Sequence, residues 1–310
     1  MRRAEAARSS RSEEGEVRQR EVQQRLTARV AACATAAAFV LLLVAPSYAQ
    51  APPNAGIGGG GGRGRGRGPR KPAGPTPHWP DGRVNLGPLP GEKGVWSGTA
   101  GTTFATNARG LDNPGLNLPT NLKVTDVPFQ DWARALYDYR QAKLTADDPH
   151  VRCKPSGGPR LFHTPYGFEL VDDQDAKIIY MIEVGGPHTY REFYMDGRQH
   201  PKDPDPSYFG HSIGHWEGET LVVDTVGFNE RFWLTREGIP HTEKLHLTEK
   251  FTRTDSDTLK YEATIDDPGA YTKPWSGGWF IRWSGNEELY EYMCQENNRD
   301  VRHMYGGERE

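Results

Sequence analysis

From Tyr166 onward the chain breaks into short runs in which apolar and polar residues alternate with a period of two. The runs are "YGFELV", "AKIIYMIEV", "HTYREFYMD", "GHSIGHW", "ETLVVDTVGF", "EKLHLTEKFTRT", "DTLKYEATI", "GWFIRW" and "ELYEYMC". β-Branched and aromatic residues dominate them, and "VDDQD", "DGRQHPKDPDP", "EG", "TDSD" and "SGNE" between them carry turn chemistry. This spacing predicts an all-β domain, an antiparallel meander. Closure into a barrel is favoured because it removes exposed edges, with a sandwich as the alternative. Ahead of the strands, "VPFQDWARALYDYRQAKL" changes period: Phe129, Trp132, Leu136 and Tyr139 recur at helical spacing, with Pro128 suited to a first turn. One packed helix is expected there, with that aromatic stripe turned to the core. The Gly-, Pro- and Asn-rich stretch from Pro77 to Thr125 reads as an extended N-terminal wrap anchored by Trp79 and Trp96.

The first 49 residues have a different character. A charged segment leads into the apolar run "VAACATAAAFVLLLVA", followed by small residues at Ser47 and Ala49. This is the layout of a secretory signal peptide cut after Ala49, and the run is short for a membrane span. The long charged extension ahead of it, with no second Met before Met181, suggests an over-extended start with the true one near Leu26. Residues 50–75, "NAGIGGGGGRGRGRGPRKPAGP" among them, are Gly/Arg/Pro-rich and predict a disordered linker. Residues 76–310 are then a single β-rich domain, in the periplasm or outside the cell. With Cys33 in the leader, Cys153 and Cys294 remain, and in an oxidising compartment they are expected to form a disulfide. The formal net charge of −3 gives no basic field for a nucleic-acid partner. After signal removal no membrane span is expected, so the expected partner is a small-molecule ligand or substrate.

Strand alternation sorts the polar residues into faces. His188, Tyr190 and Glu192 share one face of their strand, and Arg191 and Phe193 the other. His246, Thr248 and Lys250 lie opposite Leu247, Glu249 and Phe251, while Asp224 shares a face with Val222. His211 and His215 stand on one face of "GHSIGHW", and His200 falls in a turn. A carboxylate at Glu249 or Asp224 on an apolar face needs a partner, and Arg191 is the candidate. Imidazole titrates near neutrality and also ligates metals. His188, His241 or His246 with Glu249 or Asp224, and Arg191 to hold an anionic group, therefore form the candidate set for acid–base chemistry. That reading is an exported enzyme acting on a small molecule as a lyase, isomerase or hydrolase. Two alternatives stand beside it, a non-catalytic barrel carrying an apolar or aromatic ligand and a metal protein with His ligands. No HExxH, paired-Cys or calcium-loop motif occurs, and the nearest substitute, "PHTEKLH", has its histidines at an odd spacing. Metal and cofactor are left unassigned, and no nucleophile elbow is present.

The strings "REFYMDGRQHPKDPDPSYFGHSIGHWEGETLVVDTVGFNERFWL", "PHTEKLHLTEKFTR", "TIDDPGAYTKPW" and "YEYMCQENNRD" together resemble a large family of secreted bacterial proteins abundant in acidobacteria. The likeness runs from about Trp79 to His303. It implies export and a shared domain; the family has no established reaction, so it contributes no site assignments.

Overall fold

A computed structural model describes residues 73–97, 101–106, 115–143, 146–164, 166–184 and 189–296. All of these fall in the compact unit Lys71–Glu310. The expected leader, nearly all of the linker, and His188 lie outside them.

Nine strands close into a barrel: β1 (Gly94–Ser97), β4 (Phe168–Asp173), β5 (Ile178–Glu183), β6 (Thr189–Tyr194), β7 (His211–Glu217), β8 (Thr220–Val226), β9 (His246–Asp255), β10 (Thr258–Asp266) and β11 (Trp275–Gly285). Two short strands, β2 (Ala105–Thr106) and β3 (Leu122–Lys123), pair in parallel outside it. Tight turns set the antiparallel registers. The β7–β8 turn needs only Gly218 and Glu219 between Glu217 and Thr220, and Gly218 takes φ +59°, which costs a glycine little.

The meander expected from sequence holds from β7 to β11 and from β4 to β6, but β6 and β7 run parallel. Closure makes such a junction necessary, because a ring with an odd number of strands cannot alternate direction all the way round. The 195–210 connection, rich in Pro and Asp, is long enough for the crossover that a parallel pair requires. The junction is thin: only Phe193↔Ser212 and Tyr194↔Ile213 are in register. The closing contact between β1 and β4 is thinner still, Trp96↔Phe168 alone.

Inward positions of the strands form one aromatic core. Phe162, Phe251, Tyr261 and Trp279 pack ring to ring with centroids 4.5–6.3 Å apart, distances at which aromatic pairs add to area burial. The 3-10 turn Gly158–His163 feeds Leu161 and Phe162 into this core from one barrel end. At the other end the N-terminal segment wraps across. Trp96 Nε1 donates to the Leu86 carbonyl at 2.7 Å, and Arg253, buried inside β9, donates to the carbonyls of Asn85 (2.7 Å) and Gly87 (2.8 Å). The wrap therefore includes a barrel strand, β1, whose Trp96 is fully buried, while Trp79 is only partly covered.

The helix α1 (Asp131–Ala142) forms, with Pro128 ahead of its first turn. Its packed face is Ala133 and Tyr137, one turn apart; Trp132 and Tyr139 of the expected stripe are exposed. The reason is what α1 lies against: Tyr137 stacks on Phe129, and Arg140 reaches the Gly238 carbonyl and sits over Trp233. Residues 288–294, expected as a last strand, are irregular and end in a turn. Cys294 there forms the disulfide with Cys153, Cα atoms 5.6 Å apart. Among the described residues no helix is long and apolar enough to cross a membrane.

Candidate functional site: a cleft at the parallel strand junction

Where β6 and β7 part, the barrel wall carries a cleft of about 250 Å³ lined by Tyr190, Arg191, Glu192, Tyr194, Phe209, Gly210, His211 and Ser212. Gly210 takes φ +64°, and a Cβ there would lie 2.5 Å from the Val226 carbonyl, so the chain can enter β7 this closely only as glycine. Two polar networks meet at the cleft, one on each face of the wall.

The outer network is a row of imidazoles around one carboxylate. The β7–β8–β9 register places His211, Asp224 and His246 on the outer face, each one pleat diagonal to the next. His246 Nε2 lies 2.8 Å from both Asp224 oxygens, and His200 Nε2 lies 2.9 Å from Asp224 Oδ1. His200 Nδ1 in turn lies 2.8 Å from His211 Nδ1. A carboxylate only accepts, so His200 and His246 carry protons on Nε2. With Nε2 of His200 donating to Asp224, we assign the Nδ1–Nδ1 bond as His211 donating to His200, the tautomer that puts the His211 lone pair on Nε2. Burial first, and then His200 and Arg198, lower the His211 pKa and keep its ring neutral. The hydrogen bond to Asp224 raises that of His246, and the same bond lowers that of Asp224. Tyr194 packs on His211 at 5.2 Å, donates its hydroxyl to Glu192 at 2.8 Å, and is covered by Arg198 on its ring.

The inner network begins at Ser212, whose hydroxyl is 2.8 Å from that of Thr225. Arg191 Nη2 lies 3.4 Å from Thr225 Oγ1, and both Nη atoms reach Glu249, at 3.1 Å and 2.5 Å. Tyr261 donates to Glu249 Oε1 at 2.9 Å. The ion pair is wholly buried, with side-chain exposures of 1% and 0%. Burial works against the Arg191 charge, but adjacent Glu249 more than offsets it and holds the pKa above its ordinary value.

The expected site residues thus divide. Arg191 and Glu249 are partners inside the wall; Asp224 and His246 are partners outside it. Asp224 is not a buried acid, because its strand turns it outward beside Val222 and leaves it about a third exposed. Arg191 is not free to hold a ligand with its Nη atoms, since Glu249 and Thr225 occupy them. His241 belongs to neither network: it is buried against Phe232, with Nε2 3.0 Å from the Phe232 carbonyl and Nδ1 3.3 Å from that of Thr242. Its surroundings make it a core histidine, its pKa pushed down to about 4 by burial. His188 is outside the described residues.

His200 and His211 are the residues the candidate set omitted. A signal existed for His211, since a two-residue turn after Glu217 fixes the hairpin register and with it the diagonal to Asp224. None existed for His200, which reaches the row from the long 195–210 connection. Among the described residues, no group of three or more His, Cys, Asp or Glu is arranged to hold a metal ion. The fold and site define a closed mixed nine-stranded barrel with a histidine–carboxylate row on its wall. Comparison with family models, curated proteins and solved structures finds no match in any of the three.

Proposed function

We propose that the chain is an exported enzyme that processes a small polar molecule by acid–base chemistry at the β6–β7 cleft, with His211 as the general base. The observation that carries this reading is the row Asp224–His200–His211, which ends on an imidazole that lines the cleft. When His211 Nε2 takes a proton, its Nδ1–H is held by His200, which Asp224 holds in turn, so the acceptor is oriented, while its lowered pKa keeps it free to accept at neutral pH. His200 and Asp224 are positioning residues, and His246 anchors Asp224 from the other side. Tyr190 and Tyr194 supply ring surface on the cleft wall. The Cys153–Cys294 disulfide fits an oxidising compartment and supports export.

The chemistry is proton abstraction or water activation, so the test is a panel of carbon acids and small esters, scored by deuterium exchange and by hydrolysis. His211→Gln should lower turnover about a hundredfold or more, the usual worth of a positioned base, with circular dichroism unchanged. His200→Gln should lose less and shift the pH profile. Turnover that survives His211→Gln, or a panel on which the wild type is inert, would count against the assignment. A second reading has one observation in its favour. A cavity of about 210 Å³ at the wrapped barrel end is lined mostly by apolar groups, among them Trp79, Leu86, Leu170, Ile179 and Trp216. An inert enzyme panel together with a small apolar molecule retained in native mass spectrometry would favour this carrier role.

A further inference from the structure

Neither network accounts for a third group of polar residues, inside the barrel at the end entered by Gly158–His163. Arg160 is 4% exposed and gives one Nη to Asp148 at 2.7 Å, but its Nε and Nη1 have no protein partner. His163 Nδ1 accepts from the backbone N–H of Arg236 at 3.2 Å. The His163 proton therefore sits on Nε2, which is buried and also unpartnered. Its ring packs 5.0 Å from that of Trp279. On the inward face of β5, Glu183 accepts from the Thr189 hydroxyl at 2.6 Å through one oxygen, while Oε2 is buried with no partner. Arg191 Nε, two residues along β6 from Thr189, the register partner of Glu183, is in the same condition.

These groups act on one another. The Arg160 guanidinium adds to burial in holding the His163 pKa well below its ordinary value. Glu183 is pushed up to about 8 by burial, against the pull of Thr189, Arg191 and Arg160, so it carries a proton at neutral pH. Native interiors pair nearly all such atoms, and each one left unpaired costs about 1–3 kcal/mol. N–H donors and an acid in its donor form, left without partners at one barrel end, are the groups that an oxygen-rich anion requires.

We infer that this barrel end is a second binding site, for a small oxyanion group, in which Arg160 and His163 donate to the anion and Glu183 caps it with its O–H. The site is separate from the cleft, because none of these three side chains lines the cleft or belongs to the histidine row. A carboxylate and a phosphate share the chemistry that these donors recognise, and the experiment separates them.

The test is calorimetric titration of the purified full chain with acetate and, separately, with inorganic phosphate at constant ionic strength. Saturable binding of one of them is expected, and the tighter of the two identifies the group. Arg160→Lys keeps the charge facing Asp148 and removes the guanidinium donors, and should weaken binding about tenfold or more, the worth of a charge-assisted hydrogen bond. Glu183→Leu removes the O–H cap at similar volume and should weaken binding in the same direction, whereas Glu183→Gln keeps a donor there and should retain it. No saturable binding of either anion would overturn the inference, as would affinity unchanged in a folded Arg160→Lys protein. If Arg160→Lys does not fold, Glu183→Leu decides by the same criterion.

Discussion

Glu249→Gln removes one charge from a pair that solvent does not reach. The substitution keeps the side chain's shape and an oxygen for the Tyr261 hydroxyl, so little packing changes. It leaves the Arg191 guanidinium buried at 1% side-chain exposure with no carboxylate, and Thr225 alone faces its Nη2. Breaking a buried pair in this way costs about 3–5 kcal/mol, because the surviving charge is uncompensated. At roughly 2–4 °C of melting temperature per kcal/mol for a domain of this size, Tm should fall by about 6–20 °C. The double variant Arg191→Met/Glu249→Leu removes both charges and should be markedly more stable than Glu249→Gln, although the Tyr261 hydroxyl then lacks its acceptor, worth about 1–3 kcal/mol. Urea unfolding followed by circular dichroism, with the singles Arg191→Met and Glu249→Leu completing the cycle, measures the coupling directly. A Glu249→Gln cost below about 1 kcal/mol, or a double variant as unstable as the two singles summed, would show that the interior is wetter than the burial implies and refute the reasoning.

Two further outcomes follow from named bonds. Cys153 and Cys294 are 141 residues apart, so the chain-entropy model gives the crosslink about 5 kcal/mol. Cys153→Ala/Cys294→Ala should lower the urea midpoint accordingly, and reductant should destabilise the wild type but not this variant. His241 titrates at about 4 in the fold against an ordinary 6.5, so its contribution is full above pH 6.5 and declines as the pH falls toward 4, by about 3 kcal/mol in all. Glu183, raised to about 8, acts with the opposite sign from its ordinary value of 4.5 upward. The His241 contribution is therefore read as the difference between wild type and His241→Gln, unfolded in urea at pH 7.5, 5.5 and 4.5. A difference that does not change with pH would mean that His241 is already charged in the fold.

How much of this was legible beforehand follows from the range of each interaction. Side-chain direction along an extended strand is a local property, so the alternation in "EKLHLTEKF" already separates Glu249 from His246, and the alternation in "TYREF" sets Arg191 opposite Glu192. Those two facts, with the cost of burying a lone charge, suffice to expect the Arg191–Glu249 pair. The helix was legible as a helix for the same reason, but not its buried face. Ala133 and Tyr137 won over Trp132 and Tyr139 through contacts with Phe129 and the 233–241 loop, distant in sequence or outside the helical repeat.

The sequence by itself determined most of the strands between Phe168 and Gly285, which residues share a strand face, and the two cysteines left for a crosslink, because each depends on neighbours a few residues away or on composition. Only the tertiary structure decided that nine strands close a ring, that β6 and β7 must therefore lie parallel with a cleft between them, and that His200 crosses from a long connection to join His211 to Asp224. Strand order and loop path are settled by the packing of the whole barrel, and no local repeat encodes which residue a long loop brings to a strand it does not adjoin.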